Sequence, residues 1–213
     1  MLFVMDLDPR ELAELVDRAK KQLRQRMRAL RGAYPATGLA ERSDKVVAGV
    51  ARLDAFQAAR AVALFHPLLD RNEVDIRPLD ALARSLGKAV YYPGIREDAE
   101  GRLHSDFRLT SAPAELAERG RRFLEPPPAN PSAARGEIEL VIVPALAVAL
   151  SGHRLGWGGG FYDSALPDLR PPASAAIVAF DFQLLAEVPA LAHDVACDFV
   201  VTDARTVTAE KPG

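Results

Sequence analysis

Leu140-Val141-Ile142-Val143-Pro144 and, after a short apolar run, Gly152-His153-Arg154-Leu155-Gly156-Trp157-Gly158-Gly159-Gly160-Phe161-Tyr162-Asp163 form the stretch that decides how this chain is read. Four apolar residues closed by a proline have the pattern of a buried strand, and the residues toward Leu169 have that of a helix. The glycines between them let backbone N–H groups converge without Cβ obstruction, and the helix N-terminus adds its positive end. Strand, glycine loop and helix in this order make a phosphate cradle, to which Arg154 adds a forked cation. Trp157, Phe161 and Tyr162 make the segment too apolar for a flexible linker. Neither familiar phosphate loop fits. The dinucleotide pattern GxGxxG begun at Gly156 and Gly158 meets Phe161 where its last glycine belongs, and the Walker pattern lacks its Lys followed by Ser or Thr.

Outward from this stretch, short apolar runs at 61–65, 88–92 and 177–180 match the run at 140–143, and helical patterns at 41–53 and 76–86, the latter closed by Gly87, separate them. The alternation predicts an α/β fold: a three-layer, mostly parallel sheet with helices on both faces. Asp8-Pro9-Arg10-Glu11 predicts a capped helix start, followed by an apolar stripe of Leu12, Leu15, Ala19, Leu23, Met27 and Leu30. On its flank Lys20, Arg24, Arg28 and Arg31 form one row. The spacing alone leaves open whether that row is a solvated basic face or an anion contact.

Ligands of such sheets sit beyond the carboxyl ends of the strands. Glu73, after the first strand, could accept two hydrogen bonds from an amino-pyrimidine edge, or simply be a first-turn acid of the next helix; His66 could stack or hydrogen-bond in the same pocket. Asp163 beside a phosphate would repel it unless a cation lay between them. Mg2+ held by Asp163, with Asp194 as second carboxylate, resolves this; the bland alternative is an acid stabilised by the helix dipole. His193 and Cys197 have helical spacing, yet two ligands do not complete a zinc site, so a structural role is expected. No GxSxG elbow is present.

Composition narrows the function classes. The 213 residues are 49% hydrophobic and 26% charged, enough for one sizeable core and read as one domain over 1–213. With 27 basic against 29 acidic side chains and a net charge of -2, no nucleic-acid or anionic-membrane binding is expected. Cys197 is the sole cysteine, so no intramolecular disulfide can form. The apolar start at 1–5 is too short for a signal-peptide core, and Asp6 and Asp8 argue against a transit peptide, so a cytoplasmic location is expected. The proline-rich segment at 125–131 reads as a stiff surface loop, and the tail after about 206 as disordered.

The segment LVIVPALAVALSGHRLGWGGGFYD resembles the signature of the 5-formyltetrahydrofolate cyclo-ligase family. The likeness extends over almost the whole chain: Lys20-Lys21-Gln22-Leu23-Arg24, Glu73-Val74-Asp75, the pattern GxRLGxGxGxYD, His193-Asp194, and Asp198-Phe199-Val200-Val201-Thr202 follow in order. The resemblance implies a fold similar to those of sugar-phosphate isomerases and coenzyme A transferases. It also implies ATP- and Mg2+-dependent conversion of 5-formyltetrahydrofolate to 5,10-methenyltetrahydrofolate, with release of ADP and phosphate; a monomer acting on small molecules is expected. By position it implies ATP contacts at Lys20, Arg24, Arg154, Leu155, Gly156, Trp157, Gly158, Gly159, Gly160, Phe161 and Tyr162, with Arg154 catalytic. It further implies a folate pocket of Glu73 and Trp157, Gly158, Gly159, Gly160 and Phe161, and magnesium at Asp163 and Asp194. The chain differs from the family pattern at Gly159, a lysine in some members, at Ile76, where Thr is common, and at Val148-Ala149, in place of a frequent Phe-Asp pair. Two rivals come from other classes: a phosphosugar isomerase, which would work without ATP, and a non-catalytic folate- or nucleotide-binding relative, which would bind without turnover.

Overall fold

All four apolar runs contribute strands to one sheet in the computed structural model, which describes residues 8–119 and 123–210. The helices are α1 (Pro9–Gly32), α2 (Ala36–Ala51), α3 (Asp54–Ala58), α4 (Arg77–Ser85) and α5 (Phe161–Leu169). The strands are β1 (Ala61–Ala63), β2 (Ala89–Glu97), β3 (Leu103–Leu109), β4 (Ala117–Glu118), β5 (Leu124–Glu125), β6 (Leu140–Pro144), β7 (Ala147–Ala149), β8 (Arg154–Leu155), β9 (Ser174–Val178), β10 (Leu184–Leu185), β11 (Phe199–Val201) and β12 (Thr206–Thr208). The main sheet runs β12-β11-β9-β6-β1-β2-β3. Its five inner strands are parallel, and β3 and β12 close the two edges antiparallel.

Continuous apolar runs are needed because both faces of the sheet are covered. Along β6, Leu140 and Ile142 point into a core shared with Val46 and Val50 of α2, Phe56 of α3 and Leu79 of α4. Val141 and Val143 point the other way, into a core with Ala165, Leu166 and Leu169 of α5. A third cluster, of Met27, Leu146, Ala147, Leu155 and Val188, ties α1 to the small sheet β10-β7-β8.

Three sequence expectations change. Although Asp8 caps α1 by accepting from Arg10 N, only part of the apolar stripe faces inward: Met27 is buried with Leu23 packed beside it, whereas Leu12, Leu15 and Leu30 are exposed and Lys20 and Arg31 of the basic row are buried. Lys20, Arg24 and Arg31 of the basic row turn inward, while Arg28 stays exposed, because the surface they meet is made of carboxylates, carbonyls and an indole, which satisfy cations better than leucines would. The tail is ordered past 206, since Val207 pairs with Val200 in β12 and Ala209 N donates to Asp198 O; a three-residue edge strand is too short to show periodicity. His193 and Cys197 lie in an irregular segment, not on a helix. The segment at 1–5 and Asp6 lie outside the described residues. Among the described residues, no helix is long and apolar enough to cross a membrane.

Candidate active site at the glycine loop

β1 and β6 are hydrogen-bonded parallel neighbours. The segments that follow them, one carrying Glu73 and the other the glycine loop, therefore emerge side by side. The Glu73 segment is fastened to α1 by Asn72, a left-handed residue (φ 54°) whose Nδ2 donates to Arg31 O at 3.0 Å and Tyr34 O at 3.2 Å. Glu73 is 6% exposed. Its Oε2 accepts from Leu68 N at 2.8 Å, and its Oε1 accepts from Trp157 Nε1 at 2.7 Å, joining the two motifs that sequence alone kept 84 residues apart. Burial pushes the Glu73 carboxyl above its ordinary range, against the opposing pull of those two bonds and of the Arg31 and Arg71 charges.

The loop begins at Gly152, which only glycine can occupy: φ is +80°, and a Cβ there would stand 2.3 Å from Cys197 O. Arg24 then braces the loop, with Nε donating to Gly156 O at 3.0 Å and its guanidinium lying against Gly158 (φ 99°). Gly160 (φ 69°) starts α5. A Cβ added at Gly156, Gly159 or Gly160 would meet nothing within 4 Å, so the loop backbone is open there to an incoming group. Phe161 packs edge-on against Phe107 and Phe123, which anchors the start of α5.

Every member of the basic row meets this region. Lys20 Nζ donates to Asp194 Oδ2 at 2.5 Å, and Arg28 and Arg31 lie over the Trp157 ring, joined there by Arg71. Burial raises the Asp194 pKa, but the Lys20 bond, the Leu191 N–H and nearby charge outweigh it, so the net shift is downward.

Arg154 departs from the expectation of a phosphate-facing cation. Its side chain is 4% exposed; Nη1 donates to Val195 O at 2.6 Å and Nη2 to Asp163 Oδ1 at 2.9 Å. The same Asp163 oxygen accepts from Val195 N at 3.1 Å. Tyr162 has a buried hydroxyl without a hydrogen-bond partner among the described residues. His66 is half-buried, and burial followed by the Arg77 charge lowers its pKa. It makes no hydrogen bond to Glu73 or the loop among the described residues. His193 is exposed and Cys197 buried, where burial pushes the thiol up to about 11.

Oδ2 of Asp163 and Oδ1 of Asp194 accept no hydrogen bond among the described residues. Two hard oxygen donors fit Mg2+, which takes one or two carboxylates and completes its shell with phosphate and water. No group of three or more His, Cys, Asp or Glu able to hold a metal forms among the described residues. Sequence reasoning missed Arg71, Phe107 and Phe123, which carry no motif and reach the loop only through folding. Cavities of about 410 and 290 Å3 lie against β12 instead, lined by Arg52 and Thr206 among others, and share no residue with the loop.

Comparison with known proteins bears on this site. The sequence profile of the 5-formyltetrahydrofolate cyclo-ligase family matches residues 16–203. A 5-formyltetrahydrofolate cyclo-ligase of Mycolicibacterium smegmatis is 42% identical over 135 residues, 62% of this chain and 68% of the relative. The Escherichia coli K12 protein of the same name is 30% identical over 149 residues, 69% and 80% of the two chains. The solution structure of Aquifex aeolicus 5,10-methenyltetrahydrofolate synthetase superposes with a TM-score of 0.75 at 26% identity, over 91% of this chain and 94% of that one.

Proposed function

The chain belongs to the 5-formyltetrahydrofolate cyclo-ligase family, and from that premise we propose how its own residues serve the activity. It is a ligase that converts 5-formyltetrahydrofolate to 5,10-methenyltetrahydrofolate, with ATP as co-substrate. The carrying observation is the 2.7 Å bond between Trp157 and Glu73, which sets an acceptor for a heterocycle edge against a glycine loop suited to phosphates.

The formyl oxygen is a poor leaving group. Its attack on the γ-phosphorus of ATP forms an O–P bond and releases ADP. Folate N10 then attacks the formyl carbon, the C–O bond to phosphate breaks, and N10 gives its proton to solvent. This sequence asks the protein for alignment and charge neutralisation rather than for a nucleophile. Amides of Gly158, Gly159 and Gly160 and the α5 N-terminus take the phosphates, with Arg24 as the adjacent cation. Leu155, Gly156, Trp157, Phe161 and Tyr162 complete the nucleotide side. Lys20 holds Asp194, and Arg154 holds Asp163; Arg154 thus acts as a positioning residue rather than as a direct phosphate contact. Asp163 and Asp194 would hold Mg2+, which supplies charge neutralisation at the phosphates when bound. Glu73 takes the pteridine edge, with Trp157, Phe161 and His66 beside it. The substrates are small molecules, and we assign the enzyme to the cytoplasm as a monomer.

Purified protein mixed with ATP, Mg2+ and 5-formyltetrahydrofolate should generate the absorbance of the methenyl product. No ATP-dependent product from folded protein would overturn this function.

A further inference from the structure

Arg31 ends the inward row of α1 as one of the most deeply buried cations of the fold, 3% exposed. Its Nε and Nη2 atoms are buried and meet no hydrogen-bond acceptor among the described residues. Glu73 Oε1 stands 4.0 Å from Nη2, too far for a hydrogen bond, and accepts from Trp157 instead. The indole centroid lies 5.2 Å from the Arg31 guanidinium carbon, a favourable cation–π contact. A π-face still leaves two buried donors without a directional acceptor, and native interiors rarely tolerate such donors unless water, an ion or a ligand completes them.

The pair therefore offers an unused donor array beside a buried carboxylate. A 2-amino-4-oxo-pyrimidine ring carries the complementary series along one edge: an amino donor, the N3–H donor and the C4 carbonyl acceptor. We propose that Arg31 donates to the C4 carbonyl oxygen of the substrate's pteridine ring while Glu73 accepts the two neighbouring N–H groups, so that Arg31 is a specificity-determining residue of the folate site. The proposal rests on the reading of Glu73 given above. Trp157 covers the Arg31 donors and occupies the Glu73 oxygen that the ring would use. The ring reaches both groups only where the indole gives way to it, so the proposal includes displacement of Trp157 from Glu73 on binding.

The test uses 5-formyltetrahydrofolate carrying 13C at C4, without ATP, so that it binds and does not turn over. The isotope-edited infrared band of the C4 carbonyl should move to lower frequency on binding to wild type and return toward the free value in Arg31→Met. Calorimetry should show the dissociation constant of that variant raised roughly tenfold or more, with ATP affinity unchanged. An unshifted band in bound wild type overturns the proposal, and this arm needs no variant to fold. A shift that persists in folded Arg31→Met overturns it as well. Glu73→Gln separates the two readings. Lost affinity in that variant together with an unshifted wild-type band removes Arg31 and leaves Glu73 standing; unchanged affinity removes the Glu73 reading itself.

Discussion

Arg154 Nη2 donates to Asp163 Oδ1 at 2.9 Å, so the two charged residues of the glycine loop neutralise each other within nine residues. The carboxylate that would face magnesium is oriented by the guanidinium that sequence reasoning had aimed at phosphate.

Removing either partner should therefore have a different signature. Asp163→Asn weakens metal capture, and part of its lost activity should return as Mg2+ is raised at saturating ATP. Arg154→Ala should lose activity at every Mg2+ concentration. It should also lower stability by roughly 1–3 kcal/mol, less than a fully buried pair would, because Asp163 is partly exposed. Rate against Mg2+ and a melting curve for each variant test this. Identical magnesium curves for wild type and Asp163→Asn would reduce Asp163 to a helix-start acid.

Glu73 predicts a pH dependence. Burial raises its pKa, and the ionised form is the one that accepts two N–H groups. Substrate affinity should be full above the raised pKa and fall as pH drops through it, beginning above the ordinary glutamate value of about 4.3. For the ligand-free fold the sign reverses. The neutral carboxyl is favoured, so this group's contribution to stability is present at acid pH and lost as pH rises through the raised pKa. Glu73→Gln should abolish the pH dependence of binding and weaken it by ~1–3 kcal/mol at neutral pH, and, because its Nε2 must face either Leu68 N or Trp157 Nε1, it should also cost the fold one of those two hydrogen bonds. Wild-type affinity that stays flat between neutral pH and the ordinary carboxylate range would show that the carboxylate is not the acceptor.

Gly152→Ala should be among the most damaging single-methyl changes. The added carbon would meet Cys197 O at 2.3 Å and Ala209 Cβ at 2.9 Å in a conformation of positive φ. Gly152 O also accepts from Cys197 N, so relief by movement would break the turn. A loss of about 2 kcal/mol or more is expected by chemical denaturation. A change under about 0.5 kcal/mol would show that the loop yields freely.

Tyr162→Phe should not lower stability, since the hydroxyl it deletes is buried and without a partner among the described residues. If ATP supplies that partner, the KM for ATP should rise while the melting temperature stays level or increases. A clear drop in melting temperature would instead give the hydroxyl an acceptor within the fold.

The alternation of apolar runs and helical patterns was legible in the sequence because burial on both faces of a parallel sheet demands it locally. The glycine loop was legible for a different but equally local reason: Gly152, Gly158 and Gly160 adopt positive φ, a backbone demand written in residue type. Glu73 could be singled out by its place after a strand, though not its bond to Trp157. Tertiary structure alone decided which face of α1 turns inward, since Lys20 finds Asp194 across 174 residues while Leu12, Leu15 and Leu30 meet solvent. It also decided that Arg154 pairs inward, that Val207 extends the sheet, and that Arg31, Arg71 and Arg28 gather on one indole. Periodicity records how apolar each position is, whereas the partner of a buried charge is chosen by the surface the rest of the chain folds against it.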